Sequence, residues 1–430
     1  MLSVSSNAQM NKIEFEEYTL DNGLHVILHQ DQSTPIVAVS VMYHVGSKNE
    51  KPDRTGFAHF FEHLLFEGSE NIDRGEYDTY VESAGGTLNA NTTYDRTYYF
   101  EILPSNQLEL GLWLESERML HAKVEQVGIE TQREVVKEER RLRVENQPYG
   151  TVVQESMKRM FKQHPYQWPV IGYMEHLNAA EEADYKNFYK DFYVPNNAIL
   201  SIAGDIDIDQ AKAWINQYFG SIPRGEGDVY RPSIIEPELG GEIRDTVYDN
   251  IQLPAVIQTY RIPAQGTEDF YAVSMLSTLL SQGASSRLNK SLVDDQQKAL
   301  FVGSFPFELE DPGVAIAFAI CNMGQDPSVV EAAMDAEIDR VKNEVIPDEE
   351  FQKLRNQIEN DFVSSNSRVA GIAESLANYK MYYGDTNLIN SEIEKYLAVT
   401  KEEIMEAAKK YYSKDNRVVL YYLPKPVDQP

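Results

Sequence analysis

Three ionisable side chains crowd one apolar stretch of the chain. In GFAHFFEHLLFEGSE, residues 56–70, His59, Glu62 and His63 stand among phenylalanines and leucines. Placed on a helix, His59 and His63 lie one turn apart on a shared face, and Glu62 borders that face. The positions around them, Phe57, Ala58, Phe60, Phe61, Leu64, Leu65 and Phe66, make the helix apolar nearly all round, so it is expected to be buried. Ionisable groups in such a place are unfavourable unless they pair or bind a metal.

Two imidazoles at i and i+4 can chelate one Zn2+, and a neighbouring glutamate can act on the water that such an ion activates. H-x-x-E-H is the inverted order of the helical zinc-peptidase motif. The competing reading is a pair of core histidines with ordinary hydrogen bonds. His25 and His29 show why the helix matters. They have the same spacing in NGLHVILHQD, but that segment reads as a strand. Four residues of strand span roughly 13 Å, too far to grip one ion. His44, His121, His164 and His176 have no comparable company in the sequence.

A catalytic zinc takes three protein ligands and keeps a further place open. The helix TQREVVKEERRLRVEN offers the third. Val135, Val136 and Leu142 mark its apolar stripe, and Glu139 falls on that stripe. Glu134, Glu138, Arg141 and Glu145 belong mostly to the opposite, solvated face. A carboxylate on a buried stripe calls for a cation. The helix carries several glutamates, and the stripe favours Glu139 without excluding the others.

These elements belong to a chain of 430 residues, 42% of them hydrophobic, long enough for two or three domains. An internal repeat organises it. FYVPNNAIL, from Phe192, aligns with YYSKDNRVVL, from Tyr411, placing Asn197 on Asn416. At the same offset TPIVAVSVMY aligns with LPAVIQTYRI, placing Pro35 on Pro254. The repeat predicts a duplicated chain: an N-terminal domain over 10–220, a Gly- and Pro-rich linker over 221–250, and a homologous C-terminal domain over 251–430. GGTLNANTTYDRTYYFEIL reads as a turn-joined antiparallel pair among helical stretches. The expected class is therefore α+β, two homologous domains, each an antiparallel sheet packed with helices. Aligned across a short gap, His59, Glu62 and His63 face Ser274, Ser277 and Thr278. One metal site per chain is expected, in the first domain only.

The net charge of −29 argues against nucleic acid and anionic membranes as partners and leans towards basic peptides. The apolar runs are too short to span a bilayer, so a soluble protein is expected. A single cysteine, Cys321, excludes an intrachain disulfide. MLSVSSNAQ, residues 1–9, ends like a secretory signal but lacks the charged start and the apolar stretch. An exported or periplasmic location and a cytoplasmic one both stay open.

HFFEH followed by REVVKEE resembles the pitrilysin/insulinase family of zinc peptidases, in particular its short-chain branch with the mitochondrial processing peptidase and bacterial homologues. TLDNGLHVIL, GGTLNANTTYDRTYY, HPYQWPVIG and YVPNNAILSIAGDID extend the resemblance over nearly the whole chain. It implies two similar α+β domains and one Zn2+ per chain on His59, His63 and Glu139, with Glu62 as general base. Gln132 stands where the family has a glutamate that supports the site without binding metal. The strand within GTLNANTTYDRTYYF is implied to be a sheet edge beside the zinc. An extended peptide adds to it by backbone hydrogen bonds, with Asn89 and Ala90 at the scissile bond.

One departure stands out against the family pattern. Its second domain often carries an arginine and a tyrosine after an SSRL block, which hold the substrate carbonyl. Here those positions are Asp294 and Phe301, an anion and a ring without a hydroxyl to donate. The resemblance then implies a heterodimer, with a homodimer as the other option, in which a homologous subunit supplies the pair inside a closed chamber. The expected function is a zinc-dependent endopeptidase subunit acting on extended peptides. The alternative is a non-catalytic peptide-binding or scaffold subunit, which Asp294 and Phe301 favour and the intact H-x-x-E-H with Glu139 opposes.

Overall fold

The computed structural model describes residues 12–426, so the signal-like stretch 1–9 and the first residues of the N-terminal domain lie outside it. The first sheet contains β1 (Glu16–Thr19), β2 (His25–Gln30), β3 (Ile36–Tyr43), β4 (Thr87–Thr92), β5 (Thr97–Pro104) and β6 (Ala198–Gly204). The second contains β7 (Ile243–Asp249), β8 (Ala255–Arg261), β9 (Ala299–Phe307), β10 (Val314–Cys321) and β11 (Arg417–Pro424). The sheet orders are β1-β2-β6-β3-β5-β4 and β7-β11-β8-β10-β9. Without β1 the two are the same, which is the duplication seen in three dimensions.

Most strand pairs are antiparallel, but β2 runs parallel to β6 and β7 parallel to β11. Each sheet is therefore mixed rather than wholly antiparallel. The parallel partner is the last strand of each half, and parallel neighbours need a long crossover, which the helices of that half supply. Residues 221–242 of the segment read as a linker form no helix or strand, while β7 lies in its last part and joins the second sheet.

The inner strands β3, β6, β8, β10 and β11 are largely apolar along their length because both faces are covered. In β3, Val37, Val39, Val41 and Tyr43 enter one core, and Ala38 and Met42 the other. The helices that matter to the site and its counterpart are α1 (Phe57–Leu64), α2 (Leu108–Leu120), α3 (Gln126–Arg140), α4 (Val152–Met160) and α5 (Glu182–Phe192) in the first half. In the second half they are α6 (Glu268–Ser281), α7 (Pro327–Asn343), α8 (Val369–Tyr383) and α9 (Lys401–Tyr411). Helices α1, α2 and α5 cover one face of the first sheet, and α6, α7 and α9 one face of the second. The remaining faces are exchanged. Val369, Ile372, Ala373, Leu376 and Ala377 of α8 pack on the first sheet, and Met157 and Met160 of α4 pack on the second.

The repeat holds at the level of single bonds. Asn197 Nδ2 donates to the Phe192 carbonyl, and Asn416 Nδ2 to the Tyr411 carbonyl, each at 2.8 Å. A second joint links the halves. Buried Lys48 pairs with Asp95 at 3.0 Å and with Glu310 and Asp311 in the β9–β10 hairpin. His44 Nε2 lies 2.9 Å from Glu310, and His164 Nε2 3.4 Å from Asp311. Against burial, the His44 bond and the Lys48 charge pull the Glu310 carboxyl down to about 2. These histidines, isolated in sequence, are thus joined to a charge cluster by the fold. Among the described residues no helix is long and apolar enough to cross a membrane.

Candidate metal centre

Helix α1 is short, and its neighbours fix both ends. Gly56 precedes it with a φ of 92°, a conformation that glycine adopts without strain. A Cβ there would meet the Ile171 carbonyl oxygen at 2.8 Å. Glu50 Oε2 accepts from Gly56 N–H at 2.8 Å and Oε1 from Ala58 N–H at 2.9 Å. This carboxylate faces the positive end of the helix dipole. Burial still pushes its pKa well above the ordinary value, against the bonds to Ala58, Gly56 and Phe57. Further along, Tyr99 O–H donates to the Phe61 carbonyl at 2.8 Å. Phe57, Phe60 and Phe61 stack into Tyr185, Phe188 and Tyr193 with ring centroids between 4.5 and 5.7 Å. The apolar residues around the motif thus lock α1 against α5 and leave the face with His59 and His63 turned towards α3.

Helix α3 brings Glu139 to that face, by a different stripe from the expected one. Its buried residues are Gly128, Ile129, Arg133, Val136 and Arg140. Val135 is 43% and Leu142 59% exposed, which corrects their reading as core. Two buried arginines replace them. Arg133 reaches the Ala180 carbonyl at 2.9 Å and Arg140 the Gly172 carbonyl at 2.7 Å, so long polar side chains pack here where the pattern favoured valine and leucine. After Arg140 the helix widens into a π turn, Arg141–Glu145, which turns Leu142 outward. Glu139 still borders the buried side, next to Val136.

Three atoms converge. Glu139 Oε2 lies 3.4 Å from His59 Nε2 and 3.1 Å from His63 Nε2. It is buried and has no well-directed hydrogen-bond partner, and the same holds for His59 Nδ1. Atoms bound about 2.0–2.1 Å from a tetrahedral ion stand about 3.3–3.4 Å from one another, so the spacing fits a small cation. Burial, with a smaller contribution from His63, pushes the His59 imidazole down to about 4. It is therefore neutral and carries a free lone pair at ordinary pH. Burial raises Glu139, but the close approach of the His63 ring and the positive charge of Arg143 outweigh it and hold the carboxyl below its usual range. The donor set suits zinc: two imidazole nitrogens, one carboxylate oxygen and a glutamate at the side.

Glu62 is that glutamate. Ligand atoms of His59, Glu62 and His63 all lie within 4.8 Å of one another. Burial raises the Glu62 pKa, partly opposed by a hydrogen bond that Thr92 Oγ1 donates at 2.6 Å. Thr92 ends β4, the edge strand of the first sheet, so a single bond ties the edge to the candidate base. On the same strand Asn89 is exposed and Ala90 half-buried, and the Ala90 N–H is taken by Asn89 Oδ1 at 2.8 Å. Gln132 lies away from the three converging atoms. Its amide donates to buried Glu67, which also holds Arg74, and its Oε1 is buried without a partner. Phe301 lies on β9, 55% exposed, and Asp294 lies in the π turn Asn289–Asp295. Thr92 and Glu50 were not legible as site residues, since each acts through a contact that the fold makes, whereas the i, i+4 spacing of Glu139 and Arg143 was a signal for that pair. In the second half, Ser274, Ser277 and Thr278 sit on α6, where Ser277 Oγ and Tyr412 O–H share a bond of 2.8 Å.

Residues 25–172 match the family model described as insulinase, peptidase family M16, and residues 180–358 match the peptidase M16 inactive domain. The zinc protease PqqE of Helicobacter pylori is 30% identical over 98% of this chain and 96% of its own length. A protease from Helicobacter pylori of known structure superposes with a TM-score of 0.92 at 29% identity, covering 96% of this chain and 100% of that one. A peptidase M16 inactive domain from Pseudomonas fluorescens shares the fold, with a TM-score of 0.86 at 16% identity over 97% of this chain and 100% of the other.

Proposed function

The chain belongs to the insulinase family, peptidase family M16, and on that premise we propose that it is the zinc-bearing subunit of an endopeptidase that hydrolyses extended peptides. The observation that carries this reading is the convergence of His59 Nε2, His63 Nε2 and Glu139 Oε2 beside Glu62. His59, His63 and Glu139 would hold one zinc ion. When bound, zinc lowers the pKa of water and stabilises negative charge on the scissile carbonyl oxygen.

Glu62 accepts the proton of the attacking water and delivers it to the leaving amine. Thr92 fixes Glu62 Oε2 at 2.6 Å, which leaves Oε1 to carry the proton. Burial makes Glu62 a stronger base than an exposed glutamate. The substrate lies as an added strand along β4, where Asn89 gives up its bond to the Ala90 N–H so that peptide backbone can take it. Gln132 supports the neighbourhood of α3 through Glu67.

Asp294 and Phe301 favour the further step that a homologous subunit supplies an arginine and a tyrosine across a closed chamber. They equally favour the second reading, a peptide-binding subunit without turnover. Two measurements separate these. Glu62→Gln should bind one zinc per chain and lose about 10²–10⁴-fold in hydrolysis; turnover retained in this variant refutes the general-base role. The chain should hydrolyse peptides fully only with its homologous partner. Full activity of the lone chain removes the heterodimer, and a zinc-free chain without turnover supports the scaffold.

A further inference from the structure

The two oxygens of Glu139 are treated differently. Oε2 faces His59 and His63, whereas Oε1 lies 2.9 Å from Arg143 Nη1. A carboxylate left to itself can give both oxygens to one ion. In a three-ligand catalytic site that keeps its water, the second oxygen would take the fifth place, which the substrate carbonyl needs. We propose that Arg143 is a positioning residue that holds Glu139 to one-oxygen ligation and so keeps the centre open. The proposal rests on the metal-centre reading above and adds a residue to it.

The local backbone is built for this role. Past Arg140 the chain makes a π turn, closed by Asn146 N–H donating to the Arg141 carbonyl at 2.7 Å. Such turns are rare and frequent at functional sites. On the far side, buried Arg140 locks the turn through Glu145 at 3.1 Å, Gln154 at 3.0 Å and the Gly172 carbonyl at 2.7 Å. Arg140 therefore pins the turn from within, and Arg143 leaves the same turn towards Glu139. The Arg143 side chain is 78% exposed. Its partner Glu139 is only 15% exposed, so the guanidinium approaches the carboxylate from the solvent side. A guanidinium is always charged, which keeps Oε1 occupied across the working pH range.

The test uses the full chain loaded with Co2+ in place of zinc, because four-coordinate Co2+ absorbs visible light more strongly than five-coordinate Co2+. Arg143→Ala should bind one Co2+, lose visible absorption as Glu139 closes on the ion with both oxygens, and lose about 10–100-fold in peptide hydrolysis when loaded with zinc. Arg143→Lys keeps a charge and a donor and should restore most of the absorption. A Co2+ spectrum of Arg143→Ala identical to that of the unmutated chain overturns the proposal. An unmutated chain that binds neither Co2+ nor Zn2+ instead overturns the metal-centre reading, and this proposal with it, so the two failures are distinct. Thermal unfolding of the variants checks that the fold is retained.

Discussion

Helix α1 and helix α6 occupy corresponding places under two sheets of the same strand order, yet only α1 carries ionisable groups at the aligned positions. In the first half His59, Glu62 and His63 crowd together beside Glu139. In the second half Ser274, Ser277 and Thr278 take those positions, and Ser277 bonds Tyr412, the residue that the repeat aligns with Tyr193. Both helices pack their apolar residues on the sheet. The difference teaches that the helix needs its phenylalanines and leucines to dock, and that nothing in docking needs the imidazoles. The ionisable set is a burden to the fold that docking does not explain.

The sharpest way to break the comparison is to write the second half's residues into the first. His59→Ser, Glu62→Ser and His63→Thr together should remove metal binding and all hydrolysis while the protein unfolds at an equal or higher temperature. Failure of this variant to fold, measured by circular dichroism, would mean that α1 depends on its polar face after all. The joint between the halves gives the next largest effect. Lys48 is 3% exposed, and Lys48→Met leaves buried Asp95 without its cation and Glu310 and Asp311 with only His44 and His164 beside them. It should destabilise the protein by about 3–5 kcal/mol in denaturant titration. A loss under about 1 kcal/mol would show that the halves are held mainly by their apolar faces. The smallest effect tests the duplication itself. Asn197→Ala and Asn416→Ala remove equivalent bonds to the preceding aromatic residues, and each should lose about 1–3 kcal/mol. A neutral result for one of them would make the repeat a likeness of shape alone.

Much of this was legible in the sequence because it rests on short-range spacing. The i and i+4 histidines need only a helix to meet, and a strand keeps His25 and His29 from doing so: His25 bonds Glu17, and His29 turns to the Glu14 carbonyl. The aligned prolines and asparagines located the duplication because each marks the start of a strand. What escaped depends on segments that meet only after folding. The stripe of α3 is defined by Arg133 and Arg140 reaching carbonyls at residues 177, 180 and 172, and no periodicity announces a buried arginine. The parallel pairings of β2 with β6 and β7 with β11 are set by where each half ends. Thr92 is one of two threonines in its strand until α1 lies across it.

The exchanged helices have a consequence for how the molecule comes into being. When β6 leaves the ribosome the first sheet is complete, but Ile27, Ala38, Met42 and Tyr98 still lack α8, which is synthesised near the end of the chain. The nascent first half therefore waits with one greasy face bare, and the second half closes it on arrival. Completion of the first half's core is thereby timed by the second half.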